Sequence, residues 1–250
     1  MEVHHHSHPS ANSGHRKKWK HYFWEFLMLF LAVFCGFLAE YELEHVIEHQ
    51  REKKLIQSFV GDLRTDNDAF SEYQNFSERS ETVFDTLFSL LEKYKTGEPA
   101  ANIYRLMRIG LNWRPMIFSR GTLEQLKNAG GFRLIRKQNV IDSIQQYEKL
   151  SERIRGIDGK IEKLQLDYRD LLGKISDARF FKYTGDAYNI DSIGNHAVLR
   201  MYDAENFNQF LIKIDFIRNN IRVSLKFLLP EVKEDGERLI EFLKKEYHLN

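Results

Sequence analysis

IQSFVGDLRTDNDAFSEYQNFSERSETVFDTLFSLLEKY, residues 56–94, carries two interleaved repeats of seven. Ile56, Leu63, Phe70, Ser77, Phe84 and Leu91 form one; Phe59, Asp66, Tyr73, Ser80, Leu87 and Tyr94 form the other. Nine of these twelve are apolar or aromatic. Apolar pairs at this spacing line one face of a helix, which predicts a long, packed, coiled-coil-like helix with polar breaks at its middle. It should end near Thr96-Gly97-Glu98-Pro99.

Upstream lies a different kind of helix, HYFWEFLMLFLAVFCGFLAEYELEH, residues 21–45. Residues 26–39 hold no charge, and aromatic belts flank them: Tyr22, Phe23 and Trp24 before, Tyr41 after. Trp19 to Tyr41 is long enough for the ~20 residues that a ~30 Å hydrocarbon core requires. A cleaved signal would want small residues at a cleavage site, but Phe37 stands two before Ala39, and the chain runs without a turn into Glu40, Glu42, Glu44 and Glu48. The expectation is a retained transmembrane helix, residues 21–41. Arg16, Lys17, Lys18 and Lys20 precede it and no base follows until Arg51, so the positive-inside rule keeps residues 1–20 cytoplasmic and puts 42–250 outside. Glu25 lies about one turn inside the boundary, four residues after His21. It reads either as an interfacial acid reaching for headgroups or as a polar contact or ion-handling group between packed helices. Ala32 and Gly36 add small-xxx-small spacing that permits close helix approach.

Beyond residue 94 the pattern stays helical. A short pair is expected at 103–109 and 120–129, the second capped by Gly130-Gly131, a left-handed stop and a structural hinge. A long helix is expected over 138–181, an irregular connection over 183–203, a helix over 204–229 broken at Pro230, and a last one over 232–247. No stretch sustains period-two alternation, and only 14 glycines and 4 prolines punctuate 250 residues. The fold class is therefore all-α, an antiparallel helical bundle whose first helix continues from the membrane. Cys35 is the only cysteine, so an intrachain disulfide is excluded.

Charge is segregated. Residues 40–98 hold 14 acids and 7 bases; residues 99–141 hold 8 bases, among them Arg105, Arg108, Arg133, Arg136 and Lys137, against Glu124 alone. The basic block could fold against the acidic helix, bind anionic lipid or glycan, or meet a protein partner. Nucleic acid is not expected outside the membrane.

Two histidine clusters could carry metal chemistry. In ELEHVIEHQ, residues 42–50, His45 and His49 stand four apart, as do Glu44 and Glu48, so each pair shares a helix face and could hold a divalent ion. MEVHHHSH opens the chain with four more histidines. The plain alternatives are a solvated helix face and a flexible arm. No nucleophile motif, phosphate loop or cysteine-pair zinc site is present, so an enzyme is not expected and no cofactor beyond such a metal is implied.

MEVHHHSH, the basic run and YFWEFLMLFLAVFCGFLAEY, together with TLEQLKNAGGFRLIRKQNVIDSIQQYE at 122–148, resemble a family of uncharacterised single-pass bacterial envelope proteins. The resemblance covers about 70 residues. It implies a Gram-negative inner-membrane location and brings no activity or catalytic residue. The expected function is a membrane-anchored periplasmic scaffold or accessory subunit. It would touch membrane lipid and either its own copies or other envelope proteins. A metal-binding sensor at His45 and His49 is the alternative.

Overall fold

The computed structural model of the chain describes residues 15–128, 130–181, 196–200 and 203–249, with side chains from residue 19 onward. The described residues are helical or irregular and contain no strand. Helix α1 covers His15–Lys93, followed by α2 (Ala101–Ile109), α3 (Gly121–Asn128), a 3-10 turn (Gly131–Arg133) and α4 (Gln138–Ile175). Then come α5 (Ala178–Phe181), α6 (Ala204–Val223), a π-helical segment (Ser224–Leu228) and α7 (Leu229–Tyr247). The chain divides into two compact units, Met1–Lys53 and Lys54–Asn250.

In the first unit α1 is apolar without being packed. An 18-residue window reaches a mean hydropathy of 2.0 with none of it buried, so α1 is long and apolar enough to cross a membrane. Phe26, Phe30 and Phe34 stack in a ladder with centroids 6.3 and 5.9 Å apart.

The second unit is built on three helical rods: α1 from residue 54, α4, and the run α6–π–α7. Contacts set their directions. Asp66 meets Tyr147 and Tyr73 meets Asp158, so α1 and α4 run the same way. Glu81 pairs with Arg222 and Asp85 with Arg218, while Asp167 pairs with Lys213 and Arg153 with Glu231. The third rod therefore runs antiparallel to the other two. The heptad reading holds: Ile56, Leu63, Phe70, Phe84, Leu87 and Leu91 are all buried. They feed two apolar clusters. One joins Ile56, Leu63 and Phe70 to Ile144, Ile154, Val232 and Leu243. The other joins Phe84 and Leu87 to Met107, Ile161, Tyr168, Phe210 and Ile217.

Three boundaries differ from expectation. The first helix of this unit stops at Lys93, and Gly97 takes a left-handed φ of 90° just beyond. The helix expected to reach 181 ends at Ile175, because Ser176 is extended and Asp177 then opens α5, its carboxylate accepting the Arg179 N–H at 2.9 Å. The helix expected to break at Pro230 does not break. Proline lacks an N–H and its ring clashes with the carbonyl four residues back, which here is that of Lys226. Lys226 lies in the π segment, whose wider turn opens the backbone at that point, and Ser224 and Leu229 both keep right-handed helical angles. Of the connection expected over 183–203, residues 183–195, 201 and 202 lie outside the described residues.

Gly130 has φ 69°, the left-handed geometry expected after α3. Gly131 is needed for another reason. A Cβ there would sit 2.8 Å from the Leu126 Cα, so the chain can fold back on α3 only without a side chain.

Candidate functional site

A polar layer, with Asp158 where the two apolar clusters meet and Asp66 and Tyr147 within the first, is bordered by an irregular strap, residues 113–120. Trp113 of the strap packs on both clusters, as do Ile157 and Leu225. Three carboxylates reach the backbone of this region. Asp158 accepts the Met116 N–H at 2.9 Å, Asp66 the Ser119 N–H at 2.6 Å, and Asp62 the Thr122 N–H at 3.0 Å in the first turn of α3. An irregular segment has no helical partners for its amides, and these bonds supply some of them.

The same two buried acids bind tyrosines across the rods. Tyr147 donates to Asp66 at 2.8 Å, and Tyr73 donates to Asp158 at 2.8 Å. The arrangement is reciprocal, with one acid and one tyrosine on each of α1 and α4. Tyr73 also lies 3.2 Å from the Ser224 hydroxyl, the first residue of the π segment. Short π segments occur often at functional positions. Ser77 Oγ and Trp113 Nε1 are buried here without a hydrogen-bond partner among the described residues.

Asp66 and Asp158 are each 2% exposed. Burial, which penalises the charged form, pushes the Asp158 carboxyl up to about 6; the Met116 amide, the Tyr73 hydroxyl and the nearby Trp113 indole oppose that rise, and the Glu162 charge adds to it. Burial likewise raises Asp66, against the Ser119 amide and the Tyr147 hydroxyl. Both tyrosines are pushed far above the usual phenol range by burial and by the acids they face, so both hydroxyls stay protonated and donate to those acids. Asp177, by contrast, is held well below the carboxylate range by Arg179, with Arg200 assisting.

Beside the layer the strap borders a surface groove of about 220 Å³, lined by Tyr73, Phe76, Arg114, Met116 and Ile117 among others. The Arg114 guanidinium lies 5.5 Å from the Phe76 ring centre, and Ile117 is 81% exposed.

The residues singled out in the sequence are placed as follows. His21 Nε2 and Glu25 Oε1 are 3.2 Å apart on α1; Ala32 lies seven residues after Glu25 and Gly36 four further, on the same face. The His45 ring meets Tyr41 edge-on at 4.2 Å, and His49 Nδ1 lies 3.4 Å from Glu52 Oε2. Glu44 is exposed and Glu48 half-buried. No group of three or more His, Cys, Asp or Glu side chains with metal-binding geometry occurs among the described residues. The basic residues divide. Arg105 and Arg108 lie on α2, whose apolar face joins the second cluster, whereas Arg133, Arg136 and Lys137 flank Ile135 of the first. Ion pairs of this block reach α4, α7 and its own α3: Arg120 to Glu152 and Glu124, Lys127 to Glu148, Lys137 to Glu246. The α1 acids Glu81 and Asp85 pair instead with α6.

Asp62, Asp66, Tyr73, Tyr147, Asp158 and Ser224 were not among the site residues expected from sequence. Asp66 occupied a heptad position and was read as a break. Asp158 lies four after Ile154 and three before Ile161, on the apolar stripe of α4. A carboxylate on such a stripe marks a buried acid that needs donors. No family model matches the chain, and neither a curated protein nor a solved structure matches it.

Proposed function

We propose that the chain is a single-pass protein of a Gram-negative inner membrane. Its N-terminus is cytoplasmic, its helical bundle from residue 42 is periplasmic, and it acts by protein–protein contact as a scaffold or accessory subunit. One observation carries the reading. Residues 26–39 are helical and apolar with none of them buried, whereas the apolar heptad positions of the same helix from residue 56 are mostly buried. Apolar surface on that scale demands another apolar phase. Glu25, Ala32 and Gly36 share a face that would meet a second membrane helix, with the His21–Glu25 pair as its polar end. Arg105, Arg108, Arg133, Arg136 and Lys137 would face lipid headgroups or a protein partner.

Cys35, one residue before Gly36 and three after Ala32, is a built-in reporter of that contact. Mild oxidation of native membranes, followed by gentle extraction and mass measurement, tests the proposal. A Cys35-dependent doubling of mass that Gly36→Leu weakens supports self-association. A stoichiometric second protein supports the accessory role. A lone chain under gentle extraction defeats both.

A further inference from the structure

The reciprocal acid–tyrosine pairs differ in one respect. Tyr73 has a second acceptor within reach, Ser224 Oγ at 3.2 Å. Tyr147 has Asp66 as its acceptor and no other among the described residues. A proton on Asp158 can therefore be accommodated by turning the hydroxyl chain around. Asp158 Oδ1–H donates to Tyr73 Oη, and Tyr73 donates onward to Ser224 Oγ. At Asp66 the Tyr147 hydroxyl has no onward acceptor, and the carboxylate is shared by the Ser119 amide and side chain.

We propose that Asp158 is a proton-operated latch on the strap. Its anion holds the Met116 end, and a proton taken up from solvent reverses the Asp158–Tyr73–Ser224 chain and slackens that hold, while Asp66 and Asp62 keep the Ser119–Thr122 end fixed. The groove lined by Tyr73 and Met116 brings solvent to the edge of the chain. The groups that face Asp158 are Tyr73 from α1, Glu162 from its own helix, the Met116 amide and Trp113 indole from the strap, and Ser224 of the π segment through Tyr73. Arg114, the cation of this part of the strap, lies over Phe76. A neutral carboxyl accepts a hydrogen bond more weakly than a carboxylate, so the Met116 bond loosens without being lost. The pH range matches the titration of Asp158 at about 6. Slackening moves Met116, and with it the wall of the groove that carries Arg114 and Ile117.

The test uses the full chain in detergent with Trp19→Phe and Trp24→Phe, which leaves Trp113 as the sole indole. Its emission should change in one step centred near pH 6, the range of the Asp158 titration. Asp158→Asn should abolish the step and Tyr147→Phe should keep it. Tyr73→Phe should move it to higher pH, because the anion loses a donor. Hydrogen exchange, corrected for the chemical rate, should show the Met116 amide about fivefold less protected at pH 5 than at pH 7.5, with Ser119 and Thr122 unchanged. A step that survives Asp158→Asn, or equal Met116 protection at both pH values, overturns the latch. If Asp158→Asn does not fold, the Tyr73→Phe midpoint decides, and an unmoved midpoint overturns it.

Discussion

Residues 26–39 and 56–94 lie on one helix and solve opposite problems. The first stretch is apolar on every side and buries none of its residues; the second concentrates its apolar groups on one stripe and buries it. Helicity is common to both, so backbone propensity is not what distinguishes them. The difference lies in what each expects to touch: a surrounding apolar phase for the first, two specific helices for the second. Phenylalanine shows it best. Phe30 stacks between Phe26 and Phe34 on its own helix and is otherwise exposed, whereas Phe84 is buried edge-on against Tyr168 of α4.

The largest test of that contrast is one substitution made twice. Phe84→Ala should destabilise the helical domain by about 3–5 kcal/mol, since it removes a buried ring and leaves a cavity. Phe30→Ala should change the same unfolding transition by no more than about 0.5 kcal/mol, the range for surface changes. Helical ellipticity against denaturant in detergent measures both. Comparable losses would mean that the first stretch is packed within the fold.

The next effect sharpens the reading of the packed half at its turn. Gly131→Ala forces a Cβ against the Leu126 backbone and should cost about 1–3 kcal/mol. Gly61→Ala, on α1 with open space around it, should instead stabilise by about 0.5–1 kcal/mol. Gly130→Val should cost about 1–2 kcal/mol through its left-handed φ alone. Melting of the three variants checks the order, and a stable Gly131→Ala would remove the case for close approach.

The sequence made the helices and their buried stripe legible because seven-residue spacing is a direct image of helix geometry. Ile56, Leu63, Phe70, Phe84 and Leu91 all fell where the period put them. Gly130 was legible for a similar reason: a glycine pair after a short amphipathic segment leaves few other roles. Two things escaped. The continuity through Pro230 depends on an extra residue per turn in the π segment, which no local propensity encodes. The polar layer depends on which acids the strap finds, and the strap has no periodicity to read. Asp66 and Ser77 looked like interruptions because the period specifies burial without specifying the partner. Buried, Asp66 is a hydrogen-bonding centre, and its donors are 53 and 81 residues away in the chain.

The two acids of that layer give the next prediction, and its sign needs care. Asp158 titrates higher in the fold than in the unfolded chain, where the carboxyl has its ordinary value of 3.8. Between those values the native state binds the extra proton, so stability falls as pH rises through about 6 and is greatest below the unfolded value. Asp158→Asn should therefore match or exceed the parent at pH 7.5 and flatten its profile between pH 7 and 5. Asp66→Asn should be destabilising, because its new amide would confront the Tyr147 hydroxyl that has nowhere else to donate. Asp177 works the other way: its depressed carboxyl adds stability at neutral pH that is lost as pH falls below the ordinary value. Chemical unfolding of parent and variants at three pH values separates these contributions. A parent that is most stable at pH 7.5, with Asp158→Asn weaker there, would reverse the assignment.

The smallest effect concerns the apolar half and its polar ends. His45→Ala with His49→Ala should leave folding unchanged to within about 0.5 kcal/mol, since the His45 ring sits edge-on against Tyr41 at the helix surface and His49 is largely solvated. Calorimetry with Zn²⁺ then divides the interaction reading from the metal reading. If the parent binds Zn²⁺ and the double variant does not, these histidines recruit ligands from outside the geometry seen here, from a second copy or from the histidines before residue 9. If both bind alike, the metal goes elsewhere and the His45/His49 pair is a solvated face. The second outcome would leave the contrast between the two halves of α1 purely one of packing, with Glu25 as the remaining polar group inside the apolar half whose partner decides what that half is for.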